Sequence, residues 1–173
     1  FGNVILGSNS DIIFTIQNIG NASLTLSGTP KVSVTGDASF TVTAQPVSPV
    51  PALSSTVFTV RFAPTSTGAK TASLSIANDD TDGGENPYVI NVSGTGDPVP
   101  VPEIAVTQGA TPIVDGVTTY TFSNTIQGQS SSGVFTITNS GTAALTVGSV
   151  TLSGADAGQF SVSAQPSSPV ALG

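Results

Sequence analysis

Apolar residues in this chain recur at every second position, in short runs. Ile12, Phe14 and Ile16 alternate with Ile13, Thr15 and Gln17, and Phe58, Val60 and Phe62 alternate with Thr59 and Arg61. Ala72, Leu74 and Ile76 do the same against Thr71, Ser73 and Ser75, as do Tyr88, Ile90 and Val92 against Val89 and Asn91. A period of two places one set of side chains on each face of an extended chain, so each run predicts a half-buried strand with an apolar inner face. Between the runs stand Asn18-Ile19-Gly20-Asn21, Gly36-Asp37, Pro64-Thr65-Ser66-Thr67-Gly68 and residues 78–86. These are residue types that favour turns. Strands about every ten residues, joined by such turns, predict an all-β chain of antiparallel two-sheet sandwiches of immunoglobulin-like type. No segment shows helical periodicity over a helix's length.

The pattern repeats. Residues 1–26 align with residues 122–147 without a gap, at an offset of 122 − 1 = 121 residues. Phe14-Thr15-Ile16 falls on Phe135-Thr136-Ile137, Asn18 on Asn139, Gly20 on Gly141, and Leu24-Thr25 on Leu145-Thr146. After a one-residue deletion, residues 40–46 match residues 160–166, ending in Gln45-Pro46 and Gln165-Pro166. A period of this length is one sandwich domain per repeat and is too long for a solenoid unit. The expected organisation is a first repeat over 1–96, a Pro-rich linker over 97–102 and a second repeat over 103–173. Alternating Pro98, Pro100 and Pro102 favour a semi-rigid polyproline II spacer. On this alignment the first repeat lacks a counterpart of residues 103–121, whose Glu103-Ile104-Ala105-Val106 and Thr119-Tyr120-Thr121 read as opening strands. The second repeat lacks counterparts of the last three strands of the first. Both are expected to be a window on a longer polymer.

Specific residues carry a family resemblance: Phe1-Gly2-Asn3-Val4, Phe14 through Gly20, Leu24-Thr25-Leu26, Phe58 through Pro64, Gly68, Ile76 through Asp80, and Glu85-Asn86-Pro87-Tyr88 on to Gly94-Thr95-Gly96. The chain resembles the bacterial choice-of-anchor D repeats, which are similar to the Hydin-like (ASH-type) branch of immunoglobulin-like domains. The resemblance implies a seven- or eight-stranded sandwich in a large secreted or surface-attached protein. It implies a passive module and supplies no catalytic residues.

Composition narrows the function. The 173 residues include no Cys, His, Met or Trp, and only 8% are charged. Absent Cys excludes disulfide staples and thiolate metal sites, and absent His removes the commonest general base and metal ligand. Three Lys or Arg against ten Asp or Glu, a net charge of −7, leave no footprint for phosphate backbones, so nucleic acid is not an expected partner. No stretch reaches the ~18 to 20 apolar residues of a membrane span. Few charges, abundant Thr and Ser, and no oxidisable Met or Cys fit an extracellular protein, and the resemblance implies a location at a bacterial cell surface.

The candidate chemistry is sparse. Residues 79–86 hold four of the ten acidic residues, and Asp79, Asp80, Asp82 and Glu85 beside Gly83 and Gly84 could offer oxygen ligands to calcium. The same residues also suit a solvated hairpin, and their spacing is not that of an EF-hand. Lys31 and Lys70 are the only lysines an isopeptide cross-link could use, and they read as ordinary surface lysines. Asn21-Ala22-Ser23 and Asn91-Val92-Ser93 match the glycosylation sequon, a pattern too short to weigh. No Gly-x-Ser-x-Gly elbow occurs, and Gly94-Thr95-Gly96 lacks the third glycine and following helix of a dinucleotide site, so it reads as a strand end leading into the linker. The expectation is therefore no enzyme and no cofactor. The favoured function is a structural or adhesive repeat of a long surface protein or filament, with neighbouring repeats and other copies in a filament as partners. The alternatives are a carbohydrate- or protein-binding module, or an accessory domain of a secreted hydrolase.

Overall fold

The computed structural model describes residues 1–81 and 83–173, and the chain divides into two compact units, Phe1–Val99 and Pro100–Gly173. The first unit holds β1 (Asn3–Ile5), β2 (Ser10–Asn18), β3 (Val32–Gly36), β4 (Phe40–Ala44), β5 (Ser54–Phe62), β6 (Gly68–Ile76) and β7 (Tyr88–Asp97). The second holds β8 (Ile104–Gln108), β9 (Thr111–Pro112), β10 (Thr136–Asn139) and a short 3-10 turn at Ala157–Gln159. Among the described residues no helix is long and apolar enough to cross a membrane.

The first unit is an immunoglobulin-like sandwich of two sheets, ordered β1-β7-β6-β3 and β2-β5-β4. The pairs are antiparallel except β1 with β7, where Asn3, Val4 and Ile5 run parallel to Thr95, Gly96 and Asp97. Directly opposed residues share a face, so the register explains the core. Phe14 opposes Phe58, Ile12 opposes Val60, Leu74 opposes Ile90 and Ala72 opposes Val92. Phe58, Val60 and Phe62 are at most 1% exposed, while Val57 on the same strand is 53% exposed. The period-two reading of β5 is thus the in-and-out alternation of its side chains. Phe14 stacks on Phe58 at 5.2 Å and Phe40 on Phe62 at 4.6 Å, with Phe1 edge-on to Phe40.

Strand β7 runs further than the sequence suggested. Gly94 and Gly96 lie inside it, and Asp97, read as the first linker residue, is opposite Ile5 and accepts from Leu6 N at 2.9 Å. The glycines are there for space: a Cβ on Gly94 would come within 2.6 Å of the Phe62 ring, and one on Gly96 within 2.4 Å of the Ser66 carbonyl. At the other end of that linker, Val101 O accepts from Thr142 N and Ala143 N within the second unit.

In the second unit β8 pairs antiparallel with β10 and with β9. Glu103-Ile104-Ala105-Val106 therefore does open a strand. Residues 119–121 do not; Tyr120 instead packs edge-on against Phe122 at 4.9 Å and Phe135 at 5.1 Å, so ring contacts rather than a ladder hold that segment. Phe135 and Phe160 are 41% and 51% exposed.

Candidate interaction groove

Three polar side chains recur in the two units and do the same work. Asn18 ends β2 and is buried; its Nδ2 donates to the carbonyls of Ala22 (2.8 Å), Val50 (3.0 Å) and Pro51 (3.1 Å), and its Oδ1 accepts from Gly20 N (3.0 Å). Asn139 ends β10 in the same way, donating to Ala143 and Val170 and accepting from Gly141 N. Gln45 clamps Val32 through both N and O, and Gln165 clamps Val150 likewise. Ser48 Oγ accepts from Leu26 N, and Ser168 Oγ from Val147 N. Asn18 and Asn139 satisfy backbone groups where the chain leaves a strand, and the Gln and Ser side chains tie neighbouring backbone segments together. The repeat alignment had matched Asn18 with Asn139 and Gln45 with Gln165, yet nothing in the sequence told these bracket residues from ordinary turn residues.

The acidic turn is built in the same manner. Asn78 is buried and donates through Nδ2 to Ile76 O and Glu85 O, while Asn78 N donates to Asn86 Oδ1 and Asp80 N to Asn78 Oδ1. Asp79 Oδ1 accepts from Thr25 N at 2.7 Å, and that backbone bond holds its carboxyl below the usual carboxylate range. The carboxylate the calcium reading would need first is thus committed to fastening the 24–27 segment to the end of β6. Asp82 lies outside the described residues. Among the described residues no three His, Cys, Asp or Glu side chains gather as a metal would require.

The other shifted carboxyls are also structural. Asp11 and Arg61 oppose each other across β2 and β5 and pair through two bonds of 2.8 Å, which lowers the Asp11 pKa and raises that of Arg61. Asp37 is lowered by its bonds from Ser39. Lys70 Nζ donates to Ser66 Oγ at 2.8 Å. Among the described residues every buried side-chain nitrogen and oxygen has a partner.

One surface is left open. A groove of about 970 Å³ lies between the sheets of the first unit, floored by Phe14, Ile16 and Phe58 on one side and Ile76, Tyr88 and Ile90 on the other. The turns at Asn18–Leu24 and at the acidic segment form its ends. β1 pairs with β7 along Thr95–Asp97, and β2 is the outermost strand of its sheet. Phe14, Ile16 and Ile90 are half-buried, and Tyr88 is 49% exposed.

Residues 1–83 match the family described as ASH, abnormal spindle-like microcephaly-associated, ASPM-SPD-2-Hydin. The match lies wholly in the first unit and agrees with the Hydin-like part of the resemblance read from the sequence. Among solved structures, the chain is similar to the ASH / PapD-like domain of human CEP192 (PapD-like domain 7), at 9% identity and a TM-score of 0.34, over 56% of this chain and 80% of that one. No curated protein matches the sequence.

Proposed function

We propose that this chain is a passive repeat module of tandem immunoglobulin-like sandwiches, serving as a structural or adhesive segment of a long secreted bacterial surface protein or extracellular filament, with neighbouring repeats as its main partners. The observation that carries this reading is the reuse of the same brackets, Asn18 and Asn139, Gln45 and Gln165, Ser48 and Ser168, at equivalent positions of two successive units. A catalytic site needs polar groups poised toward a substrate and titrating groups tuned to the reaction. Here the polar side chains are occupied in holding backbone, and each carboxyl displaced from its ordinary pKa is displaced by a structural partner. The scarcity of charge and the absence of oxidisable Met and Cys favour an extracellular setting.

Electron microscopy of the native protein that carries this sequence tests the reading. Extended particles or fibres are expected, and antibodies against the chain should label intact cells. A compact globule retained inside the cell would overturn it.

A further inference from the structure

Where β7 ends, the chain carries its one Asp-Pro bond, Asp97–Pro98. Asp97 is the last residue of β7 and is half-buried; Pro98, Val99 and Pro100 beyond it are exposed. Such a bond holds its own nucleophile and its own leaving group. The aspartyl carboxyl can close a small ring on the main-chain carbonyl of the same residue, and the proline nitrogen, part of a tertiary amide, takes up a proton more readily than an ordinary peptide nitrogen.

The end of the sheet surrounds this bond with two donors. Leu6 N donates to Asp97 O at 2.9 Å, so the carbonyl open to attack already holds a backbone N–H at the distance an oxyanion donor takes. Asn3 Nδ2 donates to Asp97 Oδ2 at 3.0 Å and fixes the carboxyl itself. Both donors follow from the parallel pairing of β1 with β7, in which Ile5 stands opposite Asp97 and Asn3 opposite Thr95. That pairing is anchored from both sides, by Thr95 N donating to Gly2 O at 2.9 Å and by Val4, which is buried in the core. Nucleophile, carbonyl and oxyanion donor are therefore held together on a strand, while the segment that departs lies in water.

We propose that Asp97–Pro98 is a self-cleaving bond, at which the chain in acid severs its first unit from its second. Asp97 Oδ1 of the protonated carboxyl attacks the Asp97 carbonyl carbon. The carbonyl electron pair moves onto the oxygen that Leu6 N–H holds, and the carboxyl proton passes to Pro98 N. Collapse breaks the C–N bond, giving a cyclic anhydride at Asp97 and a free Pro98 amine. Water then opens the anhydride to two carboxyls, so the net reaction is hydrolysis of one peptide bond. This is a single turnover of the chain on itself. It goes beyond the passive-module reading and does not depend on it.

The test holds the chain of residues 1–173 at about pH 5, where the bonds of Asp11, Asp37 and Asp79 still support the fold, beside the same chain unfolded in guanidinium chloride at the same pH. Mass spectrometry follows the products. Fragments 1–97 and 98–173 are expected, and they form at least about tenfold faster from the folded chain, because only there does Leu6 N–H face the reacting carbonyl. Asp97→Ala gives neither fragment. Asn3→Ala lowers the folded rate toward the unfolded one, yet leaves the rate in guanidinium chloride and the melting temperature unchanged, as a positioning residue does and a structural one does not. Pro98→Ala, which makes the leaving nitrogen an ordinary amide, slows the folded chain. The proposal fails if the folded chain stays intact, or if Asp97→Ala is cut equally. It also fails if the unfolded chain is cut as fast as the folded one, the behaviour of a bond that is merely acid-labile.

Discussion

Asn18→Ala is the most informative single change. The side chain is buried and serves three carbonyls and one amide at the point where β2 gives way to the Gly20 turn. Its NH₂ group has two hydrogens, so about two full bonds are lost there and a third at Oδ1. At about 1 kcal/mol net per bond the loss is about 3 kcal/mol: Ala22 O loses its side-chain donor, while Val50 O and Pro51 O keep only the backbone donors Leu24 N and Ser54 N. For a domain the size of the first unit that corresponds to a fall in melting temperature of roughly 12–24 °C. Asn18→Asp should be at least as damaging, since it keeps the acceptor for Gly20 but turns an oxygen toward three carbonyl oxygens. Differential scanning calorimetry of the chain and both variants measures this. A shift of less than about 4 °C, the size of an ordinary surface substitution, would refute the bracket role.

Gly94→Ala should destabilise the first unit by about 1–3 kcal/mol through collision with the Phe62 ring, with Gly148→Ala, whose added Cβ meets nothing within 4 Å, as the neutral control in calorimetry. Asp11, Asp37 and Asp79 all have pKa values below the ordinary carboxylate range, so their stabilisation is complete above the unfolded-state pKa and is lost as pH falls through the folded-state values. Melting temperature should accordingly be flat near neutrality and decline below about pH 4, and Asp79→Asn should flatten part of that decline; a decline centred near neutral pH would contradict the assignment. Because Asp79 is engaged by Thr25 N, the melting curve should be the same in chelator and in millimolar calcium, and a rise that grows with free calcium would restore the acidic turn as a metal site.

What could be read from the sequence was what period-two alternation controls. The strands at Phe14, Phe58, Leu74 and Ile90 follow from side chains pointing alternately in and out, and the repeat was visible because Asn18, Gln45 and their neighbours recur at a fixed offset. The parallel pairing of β1 with β7 was not legible, since Asn3-Val4-Ile5 is too short to show a period and its partner lies more than ninety residues away. The strand end at Gly94-Thr95-Gly96 was legible, but Asp97 ahead of the alternating prolines looks like linker until Ile5 is seen opposite it. Tyr120 looked like a strand residue but is held by ring packing. The groove was invisible for a different reason: Phe14, Phe58, Ile76 and Ile90, which line it, come from four separate strands, and no local pattern encodes their meeting.

The central claim, that the chain is a mechanical module repeated in a longer assembly, is tested most directly by stretching the native protein between a tip and a surface. Independent sandwiches of a 121-residue period (122 − 1) should unfold one at a time, each releasing about 400 Å of chain less the folded module's own span. A sawtooth of equal increments of that size is the expected record. A featureless extension, or increments of unrelated lengths, would contradict the account.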